Sequence, residues 1–375
     1  MSGDIAISLK NFKERKILIL SDDCGENPRA VLVSFAQDIK ESVLNEMISI
    51  AHGLVYVVVG PQRVADFGLT KMKSARRISP NNESDLNGHC ISVEAREGVS
   101  TGISIADRAC TIRILGEEVP DKRKLVSPGH IFPVEARKGG VLVRNSLIEG
   151  ALDVVSSLGV SDAAVMIDLL SQEGEFLNSS DQLTLSKKLE LPLIKLSDII
   201  RYKLEKERIV SRVAQTVIPS SIAGELKAYI FESELHGGEH LALVKGEIDS
   251  NKPVLIRVQT ENTFADVFGG LKPSSRDVIA SCLEAIQKEG SGVLLYLRKI
   301  EVGHLTKEIS GVGNELNLSP DRMKEYGIGA QILLDLGVKK INLLTNSKRK
   351  LVGLNTFGIE IVATQAIPVT QASFS

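Results

Sequence analysis

The residues best equipped for chemistry are few in this sequence, and most stand in patterns that argue against the chemistry they suggest. His236-Gly237-Gly238-Glu239-His240 has the H-x-x-E-H spacing with which a helix turns two imidazoles toward one zinc ion. Each of the adjacent glycines costs about 1 kcal/mol in a helix, and the L-A-L-V that follows reads as a strand, so no zinc is expected there. His52, His89 and His304 stand alone, with no visible metal partners. Cys24, Cys90, Cys110 and Cys282 are scattered singly, without a C-x-x-C pair. The glycines of Y-G-I-G-A-Q-I-L, Tyr326 to Leu333, read as opening a helix but lack a phosphate-loop lysine, and are expected to serve close packing. From Arg257 to Ser275 the chain reads R-V-Q-T-E-N-T-F-A-D-V-F-G-G-L-K-P-S-S, polar but without a thiol or an imidazole.

The elements that must position these groups alternate along the chain. Lys16 to Leu20 reads as a buried strand opening into the polar loop that starts Ser21-Asp22-Asp23, and Arg29 to Ala36 as its partner. A helix is expected from about Asp38, with Val43, Met47 and Ile50 on one face, then a β-branched strand from Leu54 to Val59 stopped by Gly60-Pro61. Met72 to Gly88 turns polar and reads as an exposed loop. Cys90 to Arg96 alternates as a strand, and G-V-S-T-G-I-S-I-A-D-R-A-C-T-I leads into a helix. Helix Leu147 to Leu158, strand Ala163 to Leu170, helix Asp181 to Leu189 and the segment Leu193 to Tyr202 complete an α/β pattern. Lys203 to Ser221, charged and ending V-I-P-S-S, reads as a linker to a second half.

Composition bounds the classes. A chain of 375 residues is too long for one compact core and fits two domains. With 43% hydrophobic and 25% charged residues it reads as a soluble globular protein. A formal charge of -2 with dispersed lysines and arginines, few aromatics and no tryptophan argues against a nucleic-acid partner. Single cysteines fit reduced thiols in a cytoplasmic protein. The N-terminus lacks the apolar core of a signal peptide, and no apolar run is long enough to cross a membrane.

Three blocks in the first half carry a family resemblance: G-V-S-T-G-I-S-I-A-D-R-A from Gly98, S-P-G-H-I-F-P-V from Ser127 and G-G-V-L-V-R from Gly139. Their order and spacing are similar to 3,4-dihydroxy-2-butanone-4-phosphate synthase, which splits ribulose 5-phosphate into formate and a four-carbon phosphoketone using magnesium and acidic groups. The family's loop D-D-E-D-R-E-N-E-G-D-L becomes S-D-D-C-G-E-N-P-R-A-V, keeping Glu26 and Asn27 in its active half. Gly25, Pro28 and Ala30 replace an arginine, a glutamate and an aspartate. Leu147 falls on the magnesium-binding histidine and Ile148 on the phosphate-gripping threonine, while Arg144 persists as a substrate-binding residue. By the same resemblance His130 and Asp168 stand at catalytic positions, Asp168 one methylene shorter than the family's glutamate. Glu26, His130 and Asp168 thus read either as catalytic remnants or as residues kept for structural hydrogen bonds. Subunit-interface sites in this family imply a homodimer.

The second half carries G-E-H-L-A-L-V, R-V-x-x-E, D-V-F-G-G-L, G-V-L-L-Y-L-R and E-Y-G-I-G-A-Q-I-L-L-D-L-G-V, and resembles GTP cyclohydrolase II. That family opens the imidazole ring of GTP with a zinc-activated water. Three thiolates and a water make such a zinc. Its cysteine positions fall here on Asn262, Pro273 and Ser275. The arginine-rich motif R-Q-E-G-R-G-I-G-L is R-K-I-E-V-G-H-L, and the aspartate and arginine of D-x-R-x-Y land on Arg322 and Lys324. Arg257, Glu261, Thr345 and Lys350 survive as residues that can meet a phosphate or a guanine edge; Arg257 and Lys350 read equally as solvated charge.

The expectation is an α/β synthase-like domain over residues 1–203, a linker over 204–221, and an α+β cyclohydrolase-like domain over 222–375. The whole would be a homologue of the bifunctional enzyme of riboflavin synthesis without zinc or magnesium, acting in binding or regulation. The alternative is residual or altered chemistry on a sugar phosphate or GTP.

Overall fold

A computed structural model describes residues 2–23, 29–72, 88–233, 238–268, 275–299, 305, 320–346 and 358–367. The chain divides into two compact units, Met1–Tyr202 and Lys203–Ser375.

The first unit runs α1 (Ser2–Arg15), β1 (Leu18–Asp22), β2 (Arg29–Phe35), α2 (Glu41–Ala51), β3 (His52–Val59), α3 (Pro61–Phe67), β4 (Val93–Ala95), α4 (Ile105–Gly116), β5 (Leu125–Glu135), α5 (Leu147–Ser156), β6 (Ala163–Leu169), α6 (Ser179–Leu189), β7 (Leu193–Lys195) and α7 (Leu196–Lys206), the last continuing into the second unit. Its seven strands form one mixed sheet in the order β4-β5-β3-β6-β2-β1-β7. Period-2 alternation sends Leu32, Val55, Val57, Val165 and Ile167 to one face, where they meet Leu44 and Met47 of α2 and Ile112 and Leu115 of α4 in a dry core. Tyr56, Phe132 and Asp168 share the other face, because Tyr56 pairs with Phe132 and Met166, and Asp168 lies two residues beyond Met166.

The expected helix near Asp38 begins at Glu41 and buries Leu44, Met47 and Ala51. α1 adds a helix that the polar N-terminus concealed: Ile5, Leu9 and Phe12 are buried, and Phe12 stacks on Phe35 with ring centroids 4.5 Å apart. The strand expected over Cys90 to Arg96 shortens to β4, with Cys90 making an isolated bridge to Lys71.

The second unit continues with β8 (Val210–Ser220), β9 (Gly224–Ser233), β10 (Gly238–Lys245), β11 (Val254–Thr260), α8 (Thr263–Val267), α9 (Ser275–Glu289), β12 (Gly292–Leu297), α10 (Pro320–Asp335), β13 (Lys340–Leu344) and β14 (Glu360–Gln365). Here the linker expectation fails: residues 204–221 hold the end of α7 and all of β8, which pairs with β9 from Val210 to Ser220. An edge strand covered on neither side can be as polar as a linker, and residues 212–217 are all exposed. Strand order is β14-β13-β11-β12-β10-β9-β8. β11 lies parallel to β12 and β13, so the carboxyl ends of all three share one edge. The glycines of Y-G-I-G lie within α10 rather than opening it. A Cβ on Gly327 would stand 2.7 Å from a methyl of Leu204, the close packing expected of it.

Candidate functional site

In the first unit the residues singled out from the sequence fall into separate groups. Glu26 lies outside the described residues. Asp168, on β6, is a diagonal neighbour of Tyr56 on β3, and burial holds its carboxyl above the ordinary carboxylate range against the opposing pull of Arg29 and His89. Burial, then the charge of Asp168, raises the phenol of Tyr56. The His89 ring stands edge-on to Tyr56 at 5.8 Å, and its buried Nδ1 has no partner among the described residues. Thus His89, isolated in sequence, is not isolated in space. A bridge to Val134 of β5 carries it there, and the polar stretch before it gave no sign of this.

His130 forms a second pair, its Nδ1 3.0 Å from Glu94 Oε2. Gly102 makes room for that carboxylate: its φ is +81°, and a Cβ there would collide with the carboxyl group of Glu94. The glycine in S-T-G-I-S therefore serves the pair directly.

Arg144 belongs to a third group. Its Nε donates to Oε2 of Glu149 at 2.9 Å, and Glu149 is wholly buried while its other oxygen accepts the backbone N–H of Arg137, also at 2.9 Å. The S-L-I-E spacing after Ser146 is that of a capping box, which was the available signal for Glu149. Ser146 does cap α5, accepting from the N–H of Ile148, but Glu149 is spent on the arginines. Arg144 lines a cavity of about 250 Å³ with Pro61, Lys71, Gly88, Glu135, Arg137 and Lys138. Leu147 opens α5 and brings no metal donor, so the residues present do not fit the family's magnesium site.

In the second unit the carboxyl edge of β11 leads into the segment that the resemblance aligns with a zinc site, whose polar groups bond to one another. Asn262 caps α8, its side-chain oxygen accepting the N–H of Ala265 at 3.0 Å. Ser275 Oγ accepts from Gln259 Nε2 at 2.8 Å. Asp266 accepts the hydroxyl of Tyr296 at 2.6 Å and the N–H of Asn262 at 2.9 Å. Pro273 lies outside the described residues. A neutral amide and a hydroxyl, both already bonded within the protein, do not fit a catalytic zinc. Among the described residues no group of three or more His, Cys, Asp or Glu is placed to hold a metal ion.

Arg257 is turned inward: it donates to Leu344 O at 3.2 Å and Gln259 Oε1 at 2.6 Å, while its buried Nε has no partner among the described residues. That bond brings β11 beside the end of β13, next to Thr345, whose N–H donates to Gln365 O. Glu261 accepts the N–H of Lys299 at 2.9 Å. Lys350, His236 and His304 lie outside the described residues. Glu239 and His240 sit on strand β10, and His240 is buried with Nδ1 accepting from the N–H of Arg298, so the zinc-protease spacing is not on a helix.

Both units match known families over most of their length. The model of 3,4-dihydroxy-2-butanone 4-phosphate synthase matches residues 7–202, and that of GTP cyclohydrolase II residues 211–366. Riboflavin biosynthesis protein RibBA of Chlorobium phaeovibrioides is 33% identical over 372 residues, covering 96% of this chain and 89% of its own. The protein of that name from Aquifex aeolicus is 33% identical over 378 residues, covering 96% and 91%. The crystal structure of RibBX, a two domain 3,4-dihydroxy-2-butanone 4-phosphate synthase from A. baumannii, gives a TM-score of 0.78 at 27% identity, covering 96% of this chain and 98% of that one. Fold, domain order and identity over nearly the whole length agree, and the chain belongs to the family of bifunctional riboflavin biosynthesis proteins, a synthase-type domain followed by a GTP cyclohydrolase II-type domain.

Proposed function

We propose that this member of the family has given up both metal-dependent reactions and acts as a binding or regulatory protein of riboflavin synthesis, needing neither zinc nor magnesium. The observation that carries the reading is the use made of the zinc positions: Asn262 closes a helix end and Ser275 completes a hydrogen-bonded bridge to Gln259. A zinc-activated hydroxide is the nucleophile of GTP ring opening at neutral pH, and neither side chain can generate one. In the first unit Leu147 removes a magnesium ligand, and the carboxylates lost from the loop around Glu26 would each cost about two to four orders of magnitude in a proton-transfer step. The test is formate release from GTP and from ribulose 5-phosphate, with zinc and magnesium supplied, alongside metal analysis of the purified protein. Turnover at ordinary enzymatic rates from either substrate would overturn the reading.

A second reading has its own support. Asp168, its carboxyl pKa raised by burial beside Tyr56 and His89, and His130 beside Glu94, are groups able to move protons on a sugar phosphate bound near Arg144. Under it, ribulose 5-phosphate is consumed without magnesium and an Arg144→Ala variant binds it more weakly than the parent. Equal binding would count against it. The homodimer is likewise a proposal from the family. Ile91 and Ile103, on either side of Glu94 along the chain, are 38% and 57% exposed, as interface residues would be in a lone chain, and light scattering decides the mass.

A further inference from the structure

We infer that the open edge of β8 is a docking surface for β8 of a second copy of this chain, the two strands pairing antiparallel about a two-fold axis through Thr216. Such a surface is separate from the homodimer that the family attaches to the synthase-type unit, and it holds whether or not either reaction is kept.

Strand β8 ends the second unit's sheet and pairs with β9 alone among the described residues. At 11 residues it is the longer of the two end strands, β14 having 6, and its unpaired N–H and C=O groups are a template for another strand. Residues 212–217 are exposed and lie inside the uninterrupted described stretch 88–233. Two features limit where a further strand can join. Arg212 pairs with Phe231 and Ala214 with Ile230, so Val213 bulges out of the ladder. Pro219 has no N–H, and a proline in an edge strand keeps its nitrogen on the open side. Backbone groups alternate sides along a strand, so Gln215 and Val217 also aim theirs outward.

The bulge and the proline stand at equal distances either side of Thr216. On a two-fold axis there, Val213 falls opposite the second copy's Pro219, so the residue displaced from the ladder meets the residue that lacks a donor. Between them Gln215 opposes the second copy's Val217, and Val217 its Gln215, two pairs that each exchange both backbone bonds. Thr216 meets its own counterpart in a non-hydrogen-bonded pair with Cα atoms about 4.5 Å apart, where threonines pair favourably. Ala214 meets Ile218 on the face where Ile218 already packs against the core of Leu226 and Ile286. Charge does not oppose the pairing: residues 213–219 carry none, and Arg212 is engaged by Asp335 at 2.7 Å. A strand of unrelated sequence has no matching bulge and proline. The contact is far smaller than the interfaces of about 1,200 Å² and above that are stable alone, so association is weak and concentration-dependent.

Sedimentation velocity of the full-length protein over a rising concentration series, together with disulfide trapping, tests this. The parent's average mass should rise with concentration. Thr216→Lys sets two like charges face to face and should abolish that rise, leaving monomer, or a constant dimer if the synthase-type unit pairs by itself. Thr216→Cys should give a dimer band on a non-reducing gel that the parent lacks, because its partner lies within the Cα separation of about 4.4–6.8 Å that a disulfide spans. Gln215→Cys should not, since its counterpart is a diagonal neighbour about 7–8 Å away. Both positions are exposed, so all three variants should keep the parent's melting temperature. A Thr216→Lys mass series identical to the parent's would overturn the assignment and leave the edge to an extended segment of another protein. Absence of the cross-link in the Thr216→Cys protein, or an equal one in the Gln215→Cys protein, would overturn it as well.

Discussion

Replacing Gln259 by leucine should destabilise the second unit by about 2–4 kcal/mol, a figure built from two bonds that leucine cannot make. Gln259 is 7% exposed; its carboxamide oxygen accepts from Arg257 Nη2 at 2.6 Å and its nitrogen donates to Ser275 Oγ at 2.8 Å. Leucine has a similar volume, so the cavity term is small. The hydrogen bond to the buried guanidinium is worth about 1.5–3 kcal/mol and the hydroxyl bond about 1 kcal/mol. Arg257 already has a buried Nε with no partner and would be left with its bond to Leu344 O. For a unit of this size the loss corresponds to a drop in Tm of about 5–15 °C. Calorimetry of the full-length protein reads it. Ser275→Ala should cost about 1 kcal/mol, and the double variant should lose less than the sum, because both single changes remove the same bond. A Gln259→Leu protein within about 0.5 kcal/mol of the parent would refute the network as the tie between β11 and α9. So would a parent whose Tm falls as far on adding a chelator, since the tie would then be a metal.

Glu149→Leu should cost about 3–5 kcal/mol, because it leaves the largely buried guanidinium of Arg144 and the N–H of Arg137 without their shared acceptor; urea denaturation measures it. Asp168→Asn should stabilise the protein at pH 8. Burial raises the folded-state pKa of Asp168 above its unfolded value, so its relative stability is full below the unfolded carboxylate pKa of about 4 and declines as pH rises through the folded value. The gain should therefore vanish at pH 3.5, and a variant less stable than the parent at pH 8 would contradict the assignment. Gly102→Ala should cost about 1–2 kcal/mol from its positive φ and displace Glu94 from His130, visible as a change in the His130 ring nitrogen resonances.

Legibility from the sequence followed how local each feature is. Strands such as β3 and β12 announced themselves through continuous β-branched or aliphatic runs, and both family resemblances came from blocks whose glycines and apolar residues fix backbone and core. What stayed hidden depended on neighbours distant in the chain. The sheet pairing that sets His89 against Tyr56 joins segments separated by an unpatterned polar stretch. Strand β8 was mistaken for a linker because an edge strand exposed on both faces carries no burial pattern, and its identity comes from the ladder with β9. Arg257 was read as a ligand contact or surface charge, but a single arginine on a strand does not reveal which way its guanidinium turns; here it turns inward.

Under the proposed loss of metal chemistry the two units differ, and the difference bears on what each can do. In the second, most polar groups at the carboxyl edge of β11 bond to one another, Gln259 with Ser275 and Arg257, Asp266 with Tyr296 and the Asn262 N–H, leaving Arg257 Nε as the buried exception. A ligand would have to break such bonds to be recognised there, so substitutions along this edge should register chiefly in stability. In the first unit the buried Glu149 and the half-buried Asp153 hold a loop whose cations face a cavity, and Asp168 sits beside a histidine whose Nδ1 has no partner among the described residues. Groups held in place yet not satisfied by the protein are the ones that can be satisfied by something else. Ligand recognition should therefore be sought first in the synthase-type unit, while the cyclohydrolase-type unit is held by hydrogen bonds along the carboxyl edge of β11.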